Sequence, residues 1–131
     1  MKLLLDTHIW LWSVTNPKRI PRRAARELES PKNELWLSPI SVWETVSLLE
    51  LGRLKVKGDP WRWLDQVLAA AVFRDASFSR DVATRAAEVH LPYRDPADRL
   101  LVATARVHGL TLVTADQRLL DQTQCPVLRE R

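Results

Sequence analysis

At 131 residues, 46% of them hydrophobic, the chain has the length of one ordinary domain and enough apolar material for a real core, so residues 1–131 are expected to form a single domain. Twenty basic against sixteen acidic residues give a formal charge of +4, and the fifteen arginines among them modestly favour a polyanionic partner. One cysteine, Cys125, excludes an internal disulfide and a multi-cysteine zinc site, and no apolar run approaches the length of a membrane span.

Leu3, Leu4 and Leu5 are consecutive apolar residues of the kind that suit a strand buried on both faces of a parallel sheet, and the run stops at Asp6. Met1 and Lys2 lead straight into it without a leader, so a cytosolic protein is expected. Residues 9–14 predict a short helix or turn, broken at Asn16-Pro17. Residues 21–29 predict an exposed helix carrying Arg22, Arg23 and Arg26 as a solvated face. Residues 34–37 read as a second strand, followed by a helix over about 39–51 that Gly52 stops. A helix over 61–71, a weak edge strand within 73–78 and a helix from Ser79 through about Val89 come next.

Asp95 and Pro96 open the best-defined helix, which runs to His108 and closes at Gly109. Residues 111–114 form a clear strand, 116–121 a brief helix, and Val127-Leu128 a possible last strand. Strands alternating with helices predict an α/β fold with helices on both faces of a parallel sheet.

Four acids occupy places where solubility does not explain them. Asp6 and Asp116 each follow the end of an apolar strand, where open α/β sheets gather ligands. Glu44 shares a helix face with Ile40, Leu48 and Leu51, and Asp98 shares one with Leu101, Val102 and Ala105. Structural explanations exist for three of them: Asp6 as a turn cap, Glu44 in a capping box with Ser41, Asp98 as a first-turn acid that favours the helix dipole. Together, however, four carboxylates at one rim would raise one another's pKa unless a divalent cation offset them, and oxygen ligands suit Mg²⁺ or Mn²⁺ better than zinc.

The segments around these acids resemble one family over nearly the whole chain. Residues 4–12 (Leu-Leu-Asp-Thr-His-Ile-Trp-Leu-Trp), 38–44 (Ser-Pro-Ile-Ser-Val-Trp-Glu), 95–105 (Asp-Pro-Ala-Asp-Arg-Leu-Leu-Val-Ala-Thr-Ala) and 112–116 (Leu-Val-Thr-Ala-Asp) are similar, in order and spacing, to the PIN domain and in particular to VapC-type toxins. The resemblance implies a three-layer α/β/α sandwich with a twisted, mainly parallel sheet of about five strands. It also implies a Mg²⁺- or Mn²⁺-dependent ribonuclease whose acidic quartet is Asp6, Glu44, Asp98 and Asp116. Asp6 and Asp98 would be the main inner-sphere ligands, with Glu44 and Asp116 holding waters or a second ion. Thr114 matches a hydroxyl residue beside the last acid, placed to bind a metal-linked water or to hold Asp116. Asp95 fits either an outer-shell ligand or a helix cap. A cognate antitoxin and a homodimer are the partners the resemblance implies, and RNA the substrate.

His8 is a candidate substrate contact or a turn histidine, and His90 and His108 sit where a histidine bonds the last carbonyls of a helix. Arg94 and Arg99 flank the acidic helix start as candidate phosphate contacts. The spacing of Trp10, Trp36, Trp43 and Trp61 predicts core or interface positions. The alternative to a nuclease is a non-catalytic PIN module that binds RNA or protein. A receiver domain is disfavoured, since no lysine follows Lys57.

Overall fold

The computed structural model describes residues 1–130. Strand β1 (Lys2–Leu5) lies between β2 (Glu34–Leu37) and β4 (Thr111–Val113), with β3 (Arg74–Asp75) at the edge beyond β2, and every pairing is parallel. Leu3, Leu4 and Leu5 are fully buried, and they divide between the two faces of the sheet as strand geometry requires. Leu4 packs with Leu101, Val102 and Leu112 in one apolar cluster, while Leu3 and Leu5 join Trp10, Leu49 and Val113 in another. Each such leucine contributes roughly 1.5–3 kcal/mol by leaving water.

The second cluster is covered by α1 (Thr7–Thr15), α2 (Arg22–Glu29), α3 (Pro39–Glu50) and α4 (Pro60–Ala70). The first is covered by α5 (Arg80–Arg85), α6 (Pro96–His108) and α7 (Gln117–Asp121). The result is the expected three-layer α/β/α arrangement. Among the described residues the sheet has four strands, one fewer than the five or so expected. Val127 makes only a single parallel bridge to Leu112, with the Leu112 N–H donating to the Pro126 carbonyl at 2.9 Å and the Leu128 N–H to the Leu112 carbonyl at 2.9 Å. Pro126 has no N–H to donate, which limits that ladder, and the predicted last strand is correspondingly a bridge.

Other expectations shift by local chemistry. The helix from Ser79 is capped by that serine as foreseen but ends at Arg85 and tightens into a 3₁₀ turn over Ala86–Glu88. Ser38 caps α3, its Oγ accepting from the Ile40 N–H at 3.0 Å with Pro39 in the first turn. That start leaves Glu44 in the second turn and removes the capping-box explanation for it. Helix α6 is capped by Asp95 at its start and by Gly109 at its end, whose φ of 66° is the left-handed closure that favours glycine. His108 bonds the Ser77 carbonyl at 3.0 Å and stacks against Trp36, instead of turning back onto its own helix.

Trp10 is fully buried, but Trp43 and Trp61 are 61% and 45% exposed, so the core reading fails for those two and leaves the interface reading. Leu51, on the same helical stripe as Glu44, is 65% exposed as well. The apolar stripe of α3 is therefore only partly covered by this chain.

Candidate active site

The site forms where β1 and β4 end side by side. Leu5 is in register with Val113, and the Asp6 N–H donates to the Val113 carbonyl at 2.9 Å, so the residues that follow, Asp6 and Thr114, face each other directly. One Asp6 oxygen accepts from the Thr7 N–H at 2.7 Å, which makes Asp6 the cap of α1; the other accepts from the Thr114 hydroxyl at 2.8 Å. Capping and site placement are thus two uses of one buried carboxylate. Thr114 Oγ1 also accepts from the Asp116 N–H at 3.0 Å, and so holds that residue by its backbone, not by its carboxylate.

Glu44 comes in from α3 and accepts a short hydrogen bond from the Thr7 hydroxyl, which lies 2.9 Å from Ser41 Oγ. Asp98, in the first turn of α6, is 8% exposed and accepts from the Tyr93 hydroxyl at 2.9 Å. Asp95 caps α6, its Oδ1 accepting from the Asp98 N–H at 3.0 Å. Asp116 caps α7 and forms an ion pair with Arg118 at 3.0 Å. The Arg118 guanidinium lies over the Tyr93 ring, 4.2 Å from its centroid.

Burial sets the electrostatics. It pushes the Asp6 carboxyl above the ordinary carboxylate range, against the opposing pull of the Thr114 hydrogen bond. Glu44 is raised in the same way, with Asp6 and Asp95 adding repulsion. Asp98 rises to about 7, first through burial and then through the charges of Asp95, Asp6 and Asp116, with the Tyr93 bond opposing. Asp116 moves the other way, held below its usual range by Arg118. Three acids are therefore destabilised as anions and one is already matched to a cation.

One cavity of about 350 Å³ is lined by all four acids together with Asp95 and His8. Arg94 and Arg99 are not on it; they line a neighbouring cavity of about 970 Å³ that shares Asp95, and Arg99 Nε donates to the Ala86 carbonyl at 2.8 Å. Thr114 stands behind the acids and supports them. Among the described residues, no three His, Cys, Asp or Glu side chains are gathered tightly enough to hold an ion as they stand, because each carboxylate is turned to a hydroxyl, amide or guanidinium. The donor set nevertheless fits a hard divalent cation: the carboxylates offer oxygen donors only, and three of them are raised in pKa by burial, with neighbouring carboxylates adding repulsion.

Sequence reasoning did not single out Trp12, Arg19, Tyr93 or Arg118, all of which line this cavity or bond its carboxylates. Tyr93 lies five residues before Asp98 across the break at Pro96, so no helical spacing signals the pair. Arg118 stood two positions after Asp116, a spacing that the N-cap geometry turns into contact.

Residues 3–124 match the PIN domain family model. The chain is 36% identical over 118 residues to Ribonuclease VapC22 of Mycobacterium tuberculosis, covering 89% of this chain and 88% of that protein. Among solved structures it is similar to FitAcB from Neisseria gonorrhoeae, with a TM-score of 0.71, 26% identity and coverage of 98% and 97% of the two chains. It also shares its fold with a chain of VapBC2 from Rickettsia felis bound to a promoter DNA fragment, with a TM-score of 0.72, 20% identity and coverage of 98% of each.

Proposed function

The chain belongs to the PIN-domain family, and from that premise we propose that it is a Mg²⁺- or Mn²⁺-dependent ribonuclease, the toxin of a toxin–antitoxin pair, acting on RNA in the cytoplasm. The observation that carries the reading is the meeting of Asp6, Glu44, Asp98 and Asp116 in one small cavity, three of them with raised pKa. A non-catalytic RNA- or protein-binding module has no use for buried carboxylates that destabilise one another.

When bound, the divalent ion supplies Lewis acidity: it lowers the pKa of a coordinated water and offsets charge on the phosphodiester. Asp6 and Asp98, the most buried of the four, would hold it most directly, with Glu44 and Asp116 reaching in from α3 and α7. Thr114 fixes the Asp6 carboxylate and Tyr93 that of Asp98, so both are oriented before substrate arrives. The exposed Trp43 and Leu51 beside Glu44 support protein partners on this side of the molecule, which we assign to an antitoxin and a second copy of the chain. No helix among the described residues is long and apolar enough to cross a membrane.

The test is direct. Purified protein with Mn²⁺ or Mg²⁺ should cleave RNA, EDTA should stop it, and Asp6→Asn should abolish it; cleavage that survives in Asp6→Asn would overturn the assignment. Expression without a partner should arrest growth, and a wild type as harmless as Asp98→Asn would favour the binding module.

A further inference from the structure

Two arginines line the acidic cavity, each laid on an aromatic ring, and they differ in how their charge is used. Arg118 is paired with Asp116 at 3.0 Å. Arg19 lies over Trp12, 4.5 Å from the ring centroid, and among the described residues it forms no ion pair, although the same cavity is lined by Asp6, Glu44, Asp95, Asp98 and Asp116.

Its place is built by the chain. Helix α1 ends at Asn16 because Pro17 follows, and the next residues fold into a 3₁₀ turn, Pro17–Arg19, closed by bonds from the Arg19 N–H to the Asn16 carbonyl and the Ile20 N–H to the Pro17 carbonyl, both 3.1 Å. Trp12 is partly buried against the apolar cluster that contains Trp10 and Leu11, and His8, one helical turn earlier, sits with its ring 6.1 Å from Trp12. A guanidinium spread over a ring keeps its N–H edges available, and a planar fork of donors matches a phosphate.

An RNA strand entering a cavity of five acids meets repulsion that fixed cations nearby must relieve. Arg118 is paired with Asp116, Arg94 and Arg99 line the neighbouring cavity, and Arg19 is the arginine of this cavity that no carboxylate holds among the described residues. We propose that Arg19 contacts a backbone phosphate of single-stranded RNA next to the nucleotide held at the carboxylates, and that Trp12 is the residue that positions it. The inference rests on the ribonuclease reading and names part of its substrate site.

The experiment compares the wild type with Arg19→Ala, Trp12→Ala, Trp12→Phe and their Arg19→Ala/Trp12→Ala combination. Arg62→Ala, an exposed arginine on α4 that lines none of these cavities, controls for net charge. Binding of a labelled random-sequence 12-nucleotide RNA is followed by anisotropy with Ca²⁺ in place of Mg²⁺, and cleavage kinetics with Mg²⁺. Arg19→Ala should weaken binding and raise KM by about tenfold, leave kcat within about twofold, and flatten the slope of log K against log salt by about 0.7, the share of one single-strand phosphate contact. Trp12→Ala should do the same, the double variant should be no worse than either single one, and Trp12→Phe should restore most of the affinity. Arg19→Ala binding RNA as tightly as Arg62→Ala, or losing kcat at unchanged KM, overturns the proposal. A wild type that binds and cleaves no RNA removes the ribonuclease reading and the inference with it, whereas intact wild-type activity with an inert Arg19 removes the inference alone. Should Trp12→Ala fail to fold, the exposed Arg19 and the conservative Trp12→Phe still decide.

Discussion

The Tyr93 hydroxyl donates to Asp98 Oδ2 at 2.9 Å, so the acid that burial lifts to about 7 is restrained from rising further by one neighbouring phenol. Burial, and after it the same carboxylate, push the phenol's own pKa up, and Tyr93 stays a donor throughout the working pH range. Tyr93→Phe removes the restraint. Asp98 should then titrate above 7, and the acid limb of the pH profile for cleavage should move toward alkaline pH. An unmoved limb together with a lost kcat would mean that the hydroxyl acts on substrate and not on Asp98.

The raised pKa values also set how the metal-free chain responds to pH. A carboxyl whose folded pKa exceeds its unfolded value binds more protons folded than unfolded, so its contribution to stability is full below the unfolded pKa and is lost as pH rises through the folded one. For Asp98 that window runs from 3.8 to about 7, and Asp6 and Glu44 act with the same sign. In EDTA, therefore, Tm should fall between pH 4 and pH 7, and Asp98→Asn should flatten the fall. Added Mg²⁺ should raise Tm most at the upper end. A metal-free Tm that climbs steadily over this range would contradict the burial of these acids as anions.

How much of this was legible in the sequence follows from which contacts are local. Asp95-Pro96 and Gly109 mark both ends of α6 because caps are written in adjacent residues, and the four acids stood out because each interrupts an apolar pattern. Tyr93 with Asp98, Arg118 with Tyr93 and Arg19 with Trp12 were invisible, since those contacts depend on how turns bring side chains back. The stripe of Ile40, Leu48 and Leu51 around Glu44 was readable as apolar, but spacing does not say whether its cover comes from the same chain: Ile40 is buried and Leu51 is exposed. Val127-Leu128 carried a strand-like signal that Pro126 reduced to one bridge.

Asp95→Ala should cost stability more than metal affinity. Its side chain accepts from the Asp98 N–H at 3.0 Å, and losing an N-cap of this kind costs about 1 kcal/mol, whereas Asp95→Asn keeps an acceptor and should cost little. Urea denaturation and calorimetric Mn²⁺ titration separate the two effects. A tenfold loss of Mn²⁺ affinity in Asp95→Asn at unchanged stability would place Asp95 among the ligands.

Arg118 and a divalent ion compete for Asp116. The guanidinium holds that carboxylate with an ion pair at 3.0 Å and lowers its pKa, while the exposure of the pair to solvent keeps its worth to stability small. Arg118→Ala should therefore leave Tm in EDTA almost unchanged and tighten Mn²⁺ binding several-fold, as Asp116 is released to turn into the cavity. In Arg118→Ala the Asp116 carboxyl should also return toward its ordinary pKa, which carboxyl-detected NMR titration of the metal-free protein would register. Weaker Mn²⁺ binding in this variant would show instead that Arg118, lying on Tyr93, is needed to hold Asp116 where the ion requires it.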